Sequence, residues 1–271
     1  MTMKAQKHLM LALTFCVAAV GVTALTQRSV AAGRGGDSGG RNGTDVFHVS
    51  LRKGMTNEGV EPGASGRVIL NQTKQGSSNQ QRLDIRLLGL STNSTYYLFG
   101  ALDDESELAL VGNVDTDGKG KATLRYRKNN HSSHLGRGKL PLPDELNPVG
   151  EIRELAIFNA NTQAVLTANL AAPDKLQYLV KRDIGTTNVS ANLRIKANRK
   201  NLLFRLRASG LNPTNDYFLV LNESIVQTNS TDSSGNLRIT STPLLPTDVL
   251  ALRELAVWDS TSNVVLQTEL P

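Results

Sequence analysis

The sequence predicts an all-β protein made of two tandem antiparallel modules that follow a signal peptide and a glycine-rich tether. Three observations predict it. Apolar and polar side chains alternate along short runs, one block of residues recurs late in each half, and an apolar N-terminal segment follows basic residues.

The N-terminal segment comes first in the chain. Met1 to His8 carries two lysines, Leu9 to Leu25 is uncharged and apolar, and Val30-Ala31-Ala32 offers the small residues at which a signal peptide is cut. A signal peptide over 1–32 is expected; an uncleaved N-terminal anchor is the alternative, and the only membrane contact expected. Cys16 lies inside the apolar run, so the exported chain would hold no cysteine and rely on its core rather than on disulfides. Residues 33–44 are glycine-rich with no apolar anchor and are expected to be a linker.

Repetition sets the domain organisation. Ile152-Arg153-Glu154-Leu155-Ala156-Ile157-Phe158 recurs as Leu252-Arg253-Glu254-Leu255-Ala256-Val257-Trp258. Upstream, Gly89-Leu90 with Tyr96-Tyr97-Leu98 matches Gly210-Leu211 with Tyr217-Phe218-Leu219, and Thr116-Asp117 with Gly120 matches Thr231-Asp232 with Gly235. The order is kept while the spacing shrinks, as expected when one copy carries longer loops. Phe47, Val49 and Leu51 open the first copy and Leu176, Tyr178 and Val180 the second, which places modules at 45–173 and 174–271.

Within each copy the period is two. Leu83, Ile85 and Leu87 alternate with Arg82, Asp84 and Arg86; Phe204 and Leu206 alternate with Arg205 and Arg207. Turn-forming residues separate such runs at the spacing of a sandwich or barrel, and no sustained helical period follows the tether.

Phe47 to Leu70, with Glu58-Gly59-Val60-Glu61-Pro62 and Gly66-Arg67-Val68-Ile69-Leu70 inside it, resembles the opening of the CHRD-type modules of secreted proteins, as does Gly89-Leu90. Gly150-Glu151-Ile152-Arg153 is similar to that family's closing segment. The histidine pair of such modules is replaced by Tyr97-Leu98-Phe99-Gly100, and the second copy lacks the closing glycine. The resemblance therefore implies an immunoglobulin-like or related β-sandwich and brings no metal role with it.

Composition narrows the partners. Hydrophobic residues make up 39% and aromatic residues 4%, so the core is aliphatic and few rings remain for stacking on sugars. The formal charge is +6, but Lys4, Lys7 and Arg28 precede residue 33, leaving 27 basic against 24 acidic residues. Alternating signs such as Arg82, Asp84 and Arg86 read as a solvated strand face, so nucleic acid is not an expected partner.

Few residues suggest chemistry. Asp115 and Asp117 flank Thr116 ahead of Gly118, the start of an oxygen-ligand Ca²⁺ loop or a plain hairpin turn. His131 and His134 lie in a polar insertion and are candidates for a transition metal. Arg153, Glu154, Arg253 and Glu254 are charged pairs repeated in both copies, read as cross-strand pairing or as a partner-binding patch. No cysteine nucleophile or GxSxG elbow follows the N-terminal segment. The expectation is a non-catalytic secreted, periplasmic or cell-surface protein that needs no cofactor. It would bind a protein or envelope surface, or act in adhesion or as a spacer. The alternative is a metal-dependent binder or enzyme centred on the first copy.

Overall fold

Strand-forming runs with one apolar side must bury that side, and here two layers of antiparallel sheet do so. The computed structural model describes residues 45–102, 107–129 and 138–270. The expected signal peptide and linker, together with His131 and His134, lie outside the described residues. The described residues belong to one compact unit.

The first half contains β1 (Val46–Asn57), β2 (Ser65–Gln75), β3 (Ser78–Leu88), β4 (Thr95–Ala101), β5 (Ala109–Asp115), β6 (Ala122–Asn129), β7 (Leu140–Pro141), β8 (Glu154–Phe158) and β9 (Ala164–Asn169). The second contains β10 (Lys175–Gly185), β11 (Ser190–Asn198), β12 (Leu202–Ser209), β13 (Asp216–Leu221), β14 (Ser224–Ser230), β15 (Leu237–Ile239), β16 (Glu254–Asp259) and β17 (Val264–Glu269).

Both halves follow the same strand order, except that β9 also pairs with the end of β1 and the two-residue β7 runs parallel to β6. The first three strands pair in sequence, as β1–β2–β3 and β10–β11–β12. The next two, β4–β5 and β13–β14, form a hairpin in the other layer. The chain then returns to the third strand with β6 or β15, and ends with β8–β9 or β16–β17 beside β4 or β13.

The first strand of each half also pairs with the other. Phe47 opposes Val180, Val49 opposes Tyr178 and Leu51 opposes Leu176, so β1 and β10 fuse the halves into a continuous run β15-β12-β11-β10-β1-β2-β3-β6-β7. One buried cluster spans both halves and includes Leu70, Leu83, Ile85, Leu155, Leu193, Phe204, Leu206 and Leu255. Phe47 and Tyr178 meet edge to face at 5.8 Å across the junction.

The loops repeat their bonding as well. The Thr116 hydroxyl donates to the Ser91 carbonyl at 2.7 Å and the Thr231 hydroxyl to that of Asn212 at 2.7 Å. The Tyr96 and Tyr217 hydroxyls accept the Ser91 and Asn212 N–H groups, each at 3.0 Å. Gly120 and Gly235 close the adjacent turns at φ 68° and 73°. A Cβ there would lie 2.0 Å from the Leu90 carbonyl oxygen or 2.1 Å from that of Leu211. Gly120→Ala and Gly235→Ala should each lower the unfolding free energy by about 2–4 kcal/mol, combining left-handed strain with backbone displacement. Urea denaturation of the variants measures this, and a loss below about 0.5 kcal/mol would contradict the close approach.

Candidate functional site

Asp117 serves its own turn. Its Oδ1 accepts the N–H groups of Lys119 at 2.8 Å and Lys121 at 2.9 Å, and these bonds hold its carboxyl below the usual aspartate range. Asp232 does the same for Ser234 and Asn236, each at 2.9 Å. Asp115 accepts the Thr95 hydroxyl at 2.7 Å. Among the described residues no group of three His, Cys, Asp or Glu side chains is placed to share a metal ion. The hairpin reading thus accounts for Asp117, and no third carboxylate joins Asp115 and Asp117 among the described residues.

The repeated arginines turn inward while the glutamates beside them turn outward. Arg153 is buried at 5% exposure, and its guanidinium donates to the carbonyls of Gly150 at 3.3 Å and Ile152 at 3.5 Å. It also crosses to the second half to donate to the Leu250 carbonyl. Arg253 donates to that same carbonyl at 3.1 Å and to Leu252 at 3.3 Å. Glu154 is exposed, and the Glu254 carboxylate accepts the Gln267 amide at 2.7 Å. A buried guanidinium bonded to carbonyls braces the loops that carry them.

The larger site is one that reading along the chain did not reveal. With the apolar residues of each long strand buried, the alternate residues share the opposite, outer face of the nine-strand run. That face carries Arg52 on β1, Arg67 on β2, Arg82 and Arg86 on β3, and Arg125 and Arg127 on β6. It continues with Lys175 and Lys181 on β10, Arg194 and Lys196 on β11, Arg205 and Arg207 on β12, and Arg238 on β15. Among the described strand residues its acids are Asp84 and Asp183. Arg82, Asp84 and Arg86 share this face, as their alternation implies, but over the described strands as a whole its bases far outnumber its acids.

Register sharpens the imbalance. Arg82 directly opposes Arg127, Arg67 opposes Arg86, and Arg52 opposes Lys175. Arg194 opposes both Lys181 and Arg205, and Arg207 opposes Arg238. Like charges directly across a ladder are destabilising. The buried Nε atoms of Arg67, Arg194 and Arg205 have no hydrogen-bond partner. At the β15 edge, Arg207 and Arg238 open onto a cleft of about 460 Å³ shared with Ser209, Ser230, Asp232 and Asn236. A face of this kind attracts multiply charged anions.

Asp84 is the local exception. It is 2% exposed and paired with Arg82 on one side and, at 2.6 Å, with Arg127 on the other. Burial opposes its ionisation, but hydrogen bonds from Arg82 and Arg127 outweigh that and hold its carboxyl below the usual aspartate range.

No protein-family model matches the chain, and no curated protein is similar to it.

Two outcomes follow from this geometry. Arg153→Met should cost about 2–3 kcal/mol in urea denaturation, because loop carbonyls lose a charged donor; a neutral result would remove the bracing role. For Asp84 the folded-state pKa lies below the unfolded value of about 3.9. Its stabilisation is thus complete above that value and fades as pH falls through the folded pKa. Asp84→Asn should cost about 3 kcal/mol at neutral pH by leaving Arg82 and Arg127 facing each other. It should also flatten the stability profile below about pH 4, as thermal melts across pH would show.

Proposed function

We propose that this is a non-catalytic, exported binding protein that holds a polyanionic partner at the cell envelope or outside the cell. The single observation behind the reading is the cationic outer face, whose like-charged neighbours oppose one another directly across hydrogen-bonded strands. A protein under pressure only to fold would place acids among such arginines, as Asp84 does once. An anionic partner relieves that repulsion and releases its own counterions. The N-terminal grammar and the resemblance to CHRD-type modules support export. The two halves act as one duplicated sandwich unit whose joined sheets make the surface. The metal-dependent alternative has less support at Asp117, whose carboxylate oxygen is already taken up by its turn.

The test is retention of the full chain on immobilised heparin and on duplex DNA, used as generic polyanions, with neutral dextran as control. Binding to at least one of the two should weaken steeply with salt. About six anionic contacts give roughly a thousandfold loss between 50 and 200 mM salt. Absence of retention on both, or binding indifferent to salt, would sink the proposal.

A further inference from the structure

We infer that the binding centre lies in the second half, on the row Lys181, Arg194 and Arg205, and that its occupant is an acidic polysaccharide whose sulfate or carboxylate groups sit on that row. This rests on the polyanion reading above and adds a place and a chemistry to it.

The two halves differ at equivalent positions. Across β1, β2 and β3 the first half presents Arg52, Ile69 and Asp84 as direct neighbours. Across β10, β11 and β12 the second presents Lys181, Arg194 and Arg205. Asp84 lies between the inward Leu83 and Ile85 just as Arg205 lies between Phe204 and Leu206, so a buried carboxylate in one copy is a cation in the other. Neighbouring strands lie about 4.8 Å apart, which gathers three positive charges within about 10 Å. In the first half Asp84 neutralises Arg82 and Arg127. In the second, neither Arg194 nor Arg205 has an ion pair among the described residues, and the Nε atoms of both are buried without a partner. Asp183, the acid beside the row on that face, accepts the Asn192 amide at 2.7 Å and pairs with none of the three cations among the described residues, so the row is where an anionic group gains most.

The chemistry of the surroundings selects the polymer. Among the described residues the strands present no Phe, Tyr or Trp side chain on the outer face, and its imidazole, His48, lies on β1 hydrogen-bonded to Thr73 on the side away from the row, so the unstacked bases of a single-stranded nucleic acid would find no platform there. Beside the cationic row on the same face lies Asn192, between Asp183 and Arg207, and beyond it the hydroxyls of Ser190 and Ser209 oppose each other. Hydroxyls and amides suit sugar hydroxyls, and the planar guanidinium fork suits carboxylate and sulfate oxygens. The mixed cleft at the β15 edge extends the same chemistry past Arg207.

The experiment compares binding of the full chain to heparin and polygalacturonate with duplex DNA and anionic lipid vesicles, matched for charge at one ionic strength. At least one acidic polysaccharide should bind more tightly than DNA or vesicles. R194Q/R205Q should weaken that binding about tenfold or more and make its salt dependence shallower by about two charges. R67Q/R86Q, on the first half, should change it by less than about threefold. R205D, which installs the carboxylate that the first half has at Asp84, should weaken it as much as the double variant does. This keeps the test valid if the double variant folds poorly. Equal losses from both halves, or tighter binding of DNA or vesicles, would overturn this inference while leaving the polyanion reading in place. Failure of every probe to bind would overturn both.

Discussion

The antiparallel ladder between β1 and β10 is the constraint on which the rest of the architecture depends. Val49 and Tyr178 occupy the same position in their respective halves, and they face each other at its centre. Each half thus offers the other the same strand, the self-complementary pairing that a two-fold relation demands. An unpaired β1 or β10 would be a long exposed edge, inviting association with other chains. Joined, the two strands become the middle of the run, and its ends fall on the short strands β7 and β15. The ladder also makes one core and one outer face out of two. Without it the cations of each half would form separate, smaller fields.

That outer face is tolerable only because the inner one is so thoroughly buried. A like-charged cross-strand neighbour costs a fraction of about 1 kcal/mol, and water and salt screen much of it. A fully buried leucine or isoleucine contributes about 1.5–3 kcal/mol. Leu70, Leu83, Ile85, Leu193, Ile195 and Leu206 lie directly behind the cations on the same strands, at 0% exposure. Each strand therefore carries its own compensation, and the fold absorbs a repulsive surface that an isolated hairpin could not. The same accounting explains why Asp84 stands out. Its carboxylate improves the stability of the first half at the expense of the field there.

The faces of the strands were legible in the sequence, because a period of two depends only on immediate neighbours. Leu83, Ile85 and Leu87 are buried while Arg82 and Arg86 are exposed, as their alternation implies. What could not be read along the chain was which strand lies beside which. Arg52 and Lys175 are far apart in sequence, and only the β1–β10 register sets them opposite each other. The near balance of charge hid the segregation as well. Acids such as Asp117, Asp144, Asp174 and Asp232 sit in turns and joins, while the bases are concentrated on strands. Arg153 failed for the same reason of distance: its inward turn could be foreseen, but the Leu250 carbonyl that receives it belongs to the other half. Asp117 was legible as a turn because its partners are only two and four residues away.

The symmetry of the two halves is broken at the Leu250 loop and on the outer face, and these two differences bear on each other. The Leu250 carbonyl accepts from both Arg153 and Arg253, so one loop of the second half is clamped by arginines from both halves. Behind the same junction Tyr178 is fully enclosed, and burial pushes its hydroxyl's pKa upward while Arg253 draws it back. The strand that carries Tyr178 inward carries Lys181 outward, beside Arg194. The row of uncompensated cations therefore starts on a strand whose inner side is fixed by packing and by loop clamps. Side chains with no ion pair to orient them depend on the backbone for their spacing. In the second half the packed junction sets that backbone, whereas the first half orients its arginines through Asp84 and gives up part of its field in doing so.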